Sequence, residues 1–249
     1  MTSRADVVAR LTAAGCVAAE AEADELVGTF ADDAGLETAV ERRERGEPLA
    51  WITGSTTFLG RRLRVDPGVY VPRMQSEELA RRAHVLLHDG RAADLCTGAG
   101  AIAAHLVAAH AGTVVGVDRD PRAVATARRN GVPAFVGDLG AALRSGAFDV
   151  VTAVAPYVPT DEIRLLPTDV RAFEPRHALD GGADGLEVVR RVVEDAARIL
   201  RPGAWLLLEL GGDQDRALGP ALDERGFGDV ESWTDDEGDL RGLAARLGR

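Results

Sequence analysis

Four residues at the ends of three successive apolar runs have the chemistry to bind a nucleoside. Gly98 and Gly100 lie in the stretch DLCTGAGAIAAHL. Glycines there let a chain turn tightly and let a ligand approach main-chain N–H groups at a helix start. Asp118 ends the next run, TVVGVD, and Asp138 ends the following one, AFVGD. A carboxylate at the first position can accept both ribose hydroxyls and one at the second an adenine amino group, at about 1.5–3 kcal/mol for each hydrogen bond.

The loop pattern alone fits two classes of cofactor. With Ala103 at its third position and Asp118 about 20 residues further on, it also satisfies the dinucleotide fingerprint of an NAD-dependent oxidoreductase. Asp94, directly before the loop, favours S-adenosylmethionine (AdoMet), because its carboxylate can reach the amino group of a methionine moiety. The predicted cofactor-binding residues are Asp94, Thr97, Gly98, Gly100, Asp118, Arg119, Asp138 and Leu139.

The elements that must position these residues alternate between short apolar runs and helical stretches. Such alternation predicts a doubly wound α/β fold, a Rossmann-like parallel sheet with helices on both faces. The last stretch, FGDVESWTDDEGDLRGLAARLG, predicts two strands around an acidic turn, and a C-terminal antiparallel hairpin is typical of seven-stranded AdoMet-dependent methyltransferases. The predicted strands are 92–96, 113–117, 133–136, 148–154 and 204–210, and the helices are 76–87 with Ser76 as cap, 100–110, 121–130, 185–200 and 214–225.

The chain is predicted to divide into a small N-terminal region, residues 1–75, and a methyltransferase domain, residues 76–249. The first 50 residues show apolar positions at helical spacing. The stretch FLGRRLRVDPGVYVP, residues 58–72, predicts a β-hairpin that turns at Asp66-Pro67-Gly68 and continues through Val69 and Val71. We expect this N-terminal region to lie on the substrate side of the molecule.

Composition excludes several classes of function. Lys and Arg number 29 and Asp and Glu 40, and a net charge of −11 argues against broad contact with nucleic acid. The two cysteines, Cys16 and Cys96, form no disulfide framework, and the first residues hold no apolar span. We therefore expect a cytoplasmic protein with no nucleic-acid or membrane partner. No metal site is predicted, because no ligand cluster with cysteine is formed by His84, His88, His105, His110 and His177.

Three stretches resemble the HemK-type protein-glutamine methyltransferases, which modify release factors. They are GEPLAWITGSTTFLGRRLRVDPGVYVPR at 46–73, DLCTGAGAIA in the glycine loop, and the segment FEPRHALDGGADGLEVVRRVVEDAARILRPGAWLLLELGGDQ at 173–214. The resemblance covers about residues 46–249, and the part before it is shorter than in the family. It implies AdoMet as cofactor and a peptide chain release factor, or another protein or peptide, as partner.

The chain departs from this family at the end of one strand. Family members have Asn-Pro-Pro-Tyr there, and the asparagine oxygen and the next backbone carbonyl accept the two amide hydrogens of the glutamine. This chain has Val154, Ala155, Pro156 and Tyr157, which the resemblance implies are the catalytic platform. The carbonyl of Ala155 survives the change, but valine accepts no hydrogen bond. An amide N–H left unpaired in a closed site costs about 1–3 kcal/mol.

Three explanations for Val154 remain open. The acceptor is a different one, such as a small-molecule or peptide amine of specialised metabolism; another group supplies the missing hydrogen-bond acceptor; or the protein binds AdoMet without efficient catalysis. Beside the platform, the resemblance implies substrate-binding roles for Arg73, Glu174 and Arg176. Where the family continues after Arg73 with proline and an acid, this chain has Met74-Gln75. Glu209, at the end of a long apolar run, is interpreted as a cap of the sheet edge.

Overall fold

The chain begins with four helices that bury an apolar cluster of their own. The structure, a computed structural model, describes residues 2–109 and 112–248. The helices are α1 (Arg4–Ala13), α2 (Ala19–Thr29), α3 (Asp33–Glu44) and α4 (Leu49–Thr53). Val7, Leu11 and Leu26 are fully buried between them, and Ser3 with Asp6 forms a reciprocal capping box before α1. The helical character predicted for this part of the chain is confirmed.

The β-hairpin lies one strand earlier than predicted. Strand β1 (Ser55–Phe58) pairs antiparallel with β2 (Arg61–Arg64) around the turn at Leu59-Gly60. The turn at Asp66-Pro67-Gly68 exists, since the Val69 amide donates to the Asp66 carbonyl, but in the described chain residues 69–71 join no sheet. The alternating valines owe their burial to packing against Trp51 and the glycine loop rather than to a strand pairing. The second half of the predicted hairpin is therefore wrong.

Seven strands form the main sheet in the order β5-β4-β3-β6-β7-β9-β8. The strands are β3 (Arg91–Leu95), β4 (Thr113–Asp118), β5 (Ala134–Val136), β6 (Phe148–Ala153), β7 (Leu200–Glu209), β8 (Phe227–Thr234) and β9 (Leu240–Leu247). The first five are parallel, and β9 runs antiparallel between β7 and β8. The predicted α/β fold with a C-terminal antiparallel hairpin is confirmed.

Helices cover both faces of this sheet. They are α5 (Ser76–Leu87), α6 (Ala101–Ala109), α7 (Pro121–Arg129), α9 (Glu187–Ile199) and α10 (Gln214–Glu224). A further helix, α8 (Thr168–Phe173), follows β6 in the chain and carries Phe173, whose ring contacts Trp51. Successive residues of a strand point to opposite faces, so Val150 packs in the cluster with α5 and α6 while Val151 packs in the cluster with α9. Because both faces of such a strand are buried, its sequence is apolar at successive positions and does not alternate between apolar and polar residues.

The strand order places the functional site. The order turns back between β3 and β6, so the loops after these two strands part and leave a crevice at their carboxyl ends. Because β3, β4, β5 and β6 are parallel, the residues that follow all four strands meet at this edge of the sheet. The glycine loop, the two aspartates and the Val154–Tyr157 platform all follow these strands.

Trp51 joins the N-terminal helices to the rest of the protein. Its indole Nε1 donates to the Val69 carbonyl at 2.9 Å, and its ring meets Phe173 edge-on, with 6.5 Å between the ring centres.

Trp51 is 7% exposed, so Trp51→Phe leaves the Val69 carbonyl buried without its donor. We expect a loss of about 1–3 kcal/mol in the free energy of unfolding, measured by urea denaturation. Trp233 is the matched control: its buried Nε1 has no hydrogen-bond partner in the described part of the chain, so Trp233→Phe should cost clearly less. Equal losses would contradict the assignment.

Candidate active site

A cavity of about 1400 Å³ opens at the carboxyl ends of the parallel strands. A single small-ligand site typically holds roughly 300–1,000 Å³, so this cavity has room for two reactants side by side. The predicted site residues that line it are Gly98, Asp118, Arg119, Asp138, Leu139, Val154, Ala155, Pro156, Tyr157 and Arg73. The predicted site residues that do not line it are Asp94, Thr97, Gly100, Glu174 and Arg176.

The two glycines of the loop are needed for different reasons. Both have positive φ, +55° at Gly98 and +82° at Gly100. A Cβ on Gly98 would meet no atom within 4 Å, so the loop backbone there faces open cavity space. A Cβ on Gly100 would lie 3.0 Å from the side chains of Ala127 and Val132. The first glycine therefore leaves room for a ligand, and the second lets the loop pack against α7.

Asp94 lies beneath the glycine loop rather than in the cavity wall. Its two carboxylate oxygens accept from the hydroxyls of Thr97 at 2.6 Å and Thr152 at 2.7 Å. It is 2% exposed, and burial raises the pKa of this carboxyl to about 6. Asp94 thus ties β3, β6 and the loop together. Its contact with a methionine amino group stays a prediction.

The raised pKa of Asp94 predicts a pH-dependent stability. Between about pH 4 and pH 6 the folded protein holds a proton that the unfolded chain has released, so this group's contribution is present below pH 4 and is lost as the pH rises through 6. The loss amounts to about 3 kcal/mol. In Asp94→Asn this titration is absent. We expect the mutant's free energy of unfolding, relative to wild type, to rise by about that amount from pH 4 to pH 7 in urea titrations. A difference independent of pH would contradict this.

Asp118 and Asp138 differ in how firmly they are held. Asp118 accepts the backbone N–H of Gly98 at 2.9 Å and that of Asp120 at 2.8 Å, and burial raises its pKa above the ordinary value. Asp138 is largely exposed and forms an ion pair with Arg191 at 2.7 Å. Asp118 is therefore fixed over the glycine loop, whereas Asp138 must share its carboxylate with Arg191 when it binds anything else.

The chain leaves β6 through a buried platform. Ala155 and Pro156 are buried, and the Tyr157 carbonyl accepts from Gln214 Nε2 at 2.8 Å. The Tyr157 hydroxyl donates to Glu209 Oε1 at 3.0 Å, and burial raises the pKa of this phenol. Tyr157 is thus held at both ends, by its backbone and by its hydroxyl, with its ring along the cavity.

Glu209 is the centre of a polar cluster beside this platform. It is 2% exposed, and its oxygens accept from Ser76 Oγ at 2.5 Å, from Gln75 Nε2 at 3.0 Å and from the Tyr157 hydroxyl. Two interpretations are corrected by this geometry. Ser76 is the first residue of α5 and donates to Glu209 instead of capping the helix. Glu209 caps no sheet edge, since β7 lies inside the sheet between β6 and β9.

Of the three predicted substrate-binding residues, Arg73 alone lines the cavity. Its guanidinium lies over the Tyr70 ring, 5.0 Å from the ring centre, and forms an ion pair with Glu174. Glu174 is buried behind Arg73, and burial raises the pKa of its carboxyl. Arg176 turns away and pairs with Asp180 at 3.1 Å. The structure therefore does not bring Glu174 or Arg176 to the cavity: Glu174 is paired with Arg73 and Arg176 with Asp180.

Sequence reasoning missed several residues of the site. Tyr70, Gln75 and His177 line the cavity, and Gln214 holds the Tyr157 backbone from behind. Gln75 had a signal, since it departs from the acid that the family resemblance implies at this position. Gln214 lies at the end of a stretch with a family resemblance. The sequence contains no signal that singles out Tyr70 or His177.

In residues 2–109 and 112–248 no group of three or more His, Cys, Asp or Glu residues is arranged to hold a metal ion. His110 lies outside the described residues. None of the helices described combines the length and the apolar character that crossing a bilayer requires.

Comparison with known proteins identifies the family. A family model described as a methyltransferase domain matches residues 92–175. A release factor glutamine methyltransferase of Geobacter sulfurreducens is 38% identical over 84% of this chain and 76% of its own length. The chain belongs to the release factor glutamine methyltransferase family. The enzyme of that name from Moorella thermoacetica is 40% identical over 72% of this chain and 68% of its own length. The family resemblance stated from the sequence motifs is confirmed, and the chain is a methyltransferase.

A solved structure supports the fold. The Mtq2-Trm112 complex of E. cuniculi, responsible for methylation of the eRF1 translation termination factor, matches with a TM-score of 0.56 and 22% identity. The match covers 73% of this chain and 99% of that one. At this level of identity the likeness concerns the arrangement of the sheet and its helices.

Proposed function

We propose that this protein transfers a methyl group from AdoMet to the side-chain amide nitrogen of a glutamine in a release factor. The observation that carries the proposal is one cavity that joins a nucleoside-type end, at Gly98 and Asp118, to the Ala155–Tyr157 platform. The names of the relatives support the acceptor, since those proteins are release factor glutamine methyltransferases.

The residues present fit AdoMet. The Gly98 backbone borders open space, and Asp118 keeps oxygen lone pairs for ribose hydroxyls beyond its two backbone bonds. Asp138, which is paired with Arg191, is proposed to accept a hydrogen bond from the adenine amino group. When bound, AdoMet supplies a methyl carbon on a sulfonium sulfur, which is open to attack by a nucleophile. Transfer to the amide nitrogen would form the N–C bond, leave the electron pair of the broken C–S bond on sulfur, and release one amide proton to water.

The work of the protein's own residues is orientation. An amide nitrogen is a poor nucleophile because its lone pair is delocalised. Holding both N–H groups aims the nitrogen at the methyl carbon, and well-oriented reactions reach effective molarities on the order of 10⁵–10⁸ M. The Ala155 carbonyl is proposed to accept one N–H, and Ala155 and Tyr157 both line the cavity. Val154 accepts none.

The proposal is tested with labelled AdoMet and a release factor that carries a Gly-Gly-Gln loop. We expect one methyl group on the loop glutamine, located by mass spectrometry. The matched control is the same release factor with that glutamine replaced by alanine, which should remain unlabelled. Equal labelling of both proteins would contradict a glutamine acceptor.

Val154 favours a second candidate, a methyltransferase for a small-molecule or peptide amine. An amine nucleophile has a free lone pair and does not need a side-chain acceptor at this position. A metabolite extract replaces the release factor in the same assay. Transfer to small molecules without transfer to the loop glutamine supports this candidate. Tight binding of AdoMet with no transfer to either acceptor indicates a non-catalytic AdoMet-binding protein.

The N-terminal region, residues 1–75, is proposed as the substrate-side part of the molecule. Cys16, Arg43 and Gly46 from this region line the same cavity as the platform. An acceptor carried on a protein loop would therefore pass these helices on its way to Tyr157. The boundary near residue 75 and a cytoplasmic location stay predictions.

A further inference from the structure

Gln75 carries an unused hydrogen-bond acceptor at the acceptor end of the cavity. Its side chain lines the cavity together with Val154, Ala155 and Tyr157. Its Nε2 donates to the Tyr157 hydroxyl at 2.8 Å and to Glu209 Oε1 at 3.0 Å. Among the described residues, its Oε1 has no hydrogen-bond partner, and it is not one of the buried polar atoms without a partner.

The surrounding cluster dictates which end of the Gln75 amide faces the cavity. The Glu209 carboxylate oxygens accept hydrogen bonds from the hydroxyls of Ser76 and Tyr157. The Tyr157 oxygen uses its own O–H to donate to Glu209, so its lone pairs remain to accept a hydrogen bond from Gln75. Tyr157 and Glu209 therefore both need a donor from Gln75, and its NH₂ group supplies the hydrogen bonds to both. A flipped amide would set its oxygen against Glu209 at about 3 Å, which is repulsive.

We propose that Gln75 Oε1 accepts one amide N–H of the glutamine substrate, the task for which Val154 has no atom. The Ala155 carbonyl accepts the other N–H. This inference rests on the proposed function, since it concerns how that acceptor is held. It selects, from the three explanations for Val154, the one in which another group supplies the missing acceptor.

The acceptor would come from a different element than the platform itself. Val154 follows β6, whereas Gln75 directly precedes α5, and both residues line the cavity. The Glu209 cluster gives Gln75 the rigidity that an orienting group requires. An acceptor already bonded on its NH₂ end loses little side-chain freedom when the substrate binds.

The test compares Gln75→Met, Val154→Asn and the double variant on the Gly-Gly-Gln release factor. Methionine keeps the length of Gln75 without the amide. We expect Gln75→Met to lower kcat/KM at least tenfold while the AdoMet Kd stays within about twofold, since one substrate N–H is left unpaired. Adding Val154→Asn to that variant should restore kcat/KM at least tenfold, because the asparagine supplies an acceptor without remaking the bonds to Tyr157 and Glu209. The neighbouring residue is the control: Met74 is 80% exposed, and Met74→Leu should behave as wild type.

Each result decides the inference. A Gln75→Met enzyme with wild-type kcat/KM, or one that Val154→Asn does not rescue, overturns it while the proposed function stands. A wild-type enzyme that methylates no glutamine overturns the proposed function and this inference together. If Gln75→Met does not fold, Val154→Asn in the wild-type background still decides. A gain below about threefold shows that the acceptor is already supplied, and a gain of tenfold or more shows that it was missing.

Discussion

Replacing Asp118 with alanine is expected to weaken AdoMet binding at least tenfold. The carboxylate is held over the glycine loop by the Gly98 and Asp120 amides, and its remaining lone pairs are proposed to accept the ribose hydroxyls. Two charged hydrogen bonds contribute about 1.5–3 kcal/mol each, and 1.4 kcal/mol already equals a factor of ten. The substitution also removes the acceptor that orders the loop amides, which acts in the same direction.

The measurement is isothermal titration calorimetry with AdoMet, accompanied by thermal unfolding of each variant. Asp138→Ala is the matched control, because that carboxylate is largely exposed and paired with Arg191. Its affinity should fall less than that of Asp118→Ala. An Asp118→Ala protein that is folded and binds AdoMet with unchanged Kd would refute the ribose assignment.

Replacing Gly185 with alanine is expected to abolish most methyl transfer. Gly185 has φ +74°, and a Cβ there would lie 2.3 Å from the Tyr157 carbonyl oxygen and 2.5 Å from Gln214 Nε2. These two atoms are bonded to each other and hold the backbone of the platform. Forcing them apart shifts Tyr157, and a misplacement of about 1 Å costs on the order of a hundredfold in rate. AdoMet binding should persist, because Gly98 and Asp118 lie at the other end of the cavity.

Gly131 separates the effect of contact from the effect of backbone conformation. It has φ +84°, but a Cβ there would meet no atom within 4 Å. Gly131→Ala should therefore cost about 1–2 kcal/mol of stability through left-handed strain and leave methyl transfer unchanged. The two variants are compared by kcat on the release factor and by urea denaturation. Equal kcat values for both would show that the Tyr157–Gln214 contact does not position the platform.

Local patterns in the sequence were sufficient for the main sheet and for placing Gly98 and Asp118 at its carboxyl edge. Strand β6 is buried from Val150 to Ala153 because helices cover both faces of the sheet there, and the strand bounds at 113–118 and 148–153 lie within a residue of the predicted ones. Gly98 and Asp118 could be predicted because a strand end and a glycine turn are each visible in a few adjacent residues. Parallel strands place the residues that follow them at one edge of the sheet, and the alternation of strands and helices in the sequence already predicts parallel strands.

The acceptor end was decided by the tertiary structure. Gln75 bonds Tyr157 across 82 positions and Glu209 across 134, so no local period links the three residues. The same holds for Glu174, which is paired with Arg73, 101 positions away, and does not line the cavity. The alternating valines at 69 and 71 show the converse, a strand-like pattern whose burial comes from Trp51 and the glycine loop. The sequence pattern indicates which face of a helix or strand is buried. It does not indicate which polar groups lie opposite one another, because that depends on the distant element packed against that face. Here the segment before α5 contributes Gln75 to the cavity that Val154 also lines.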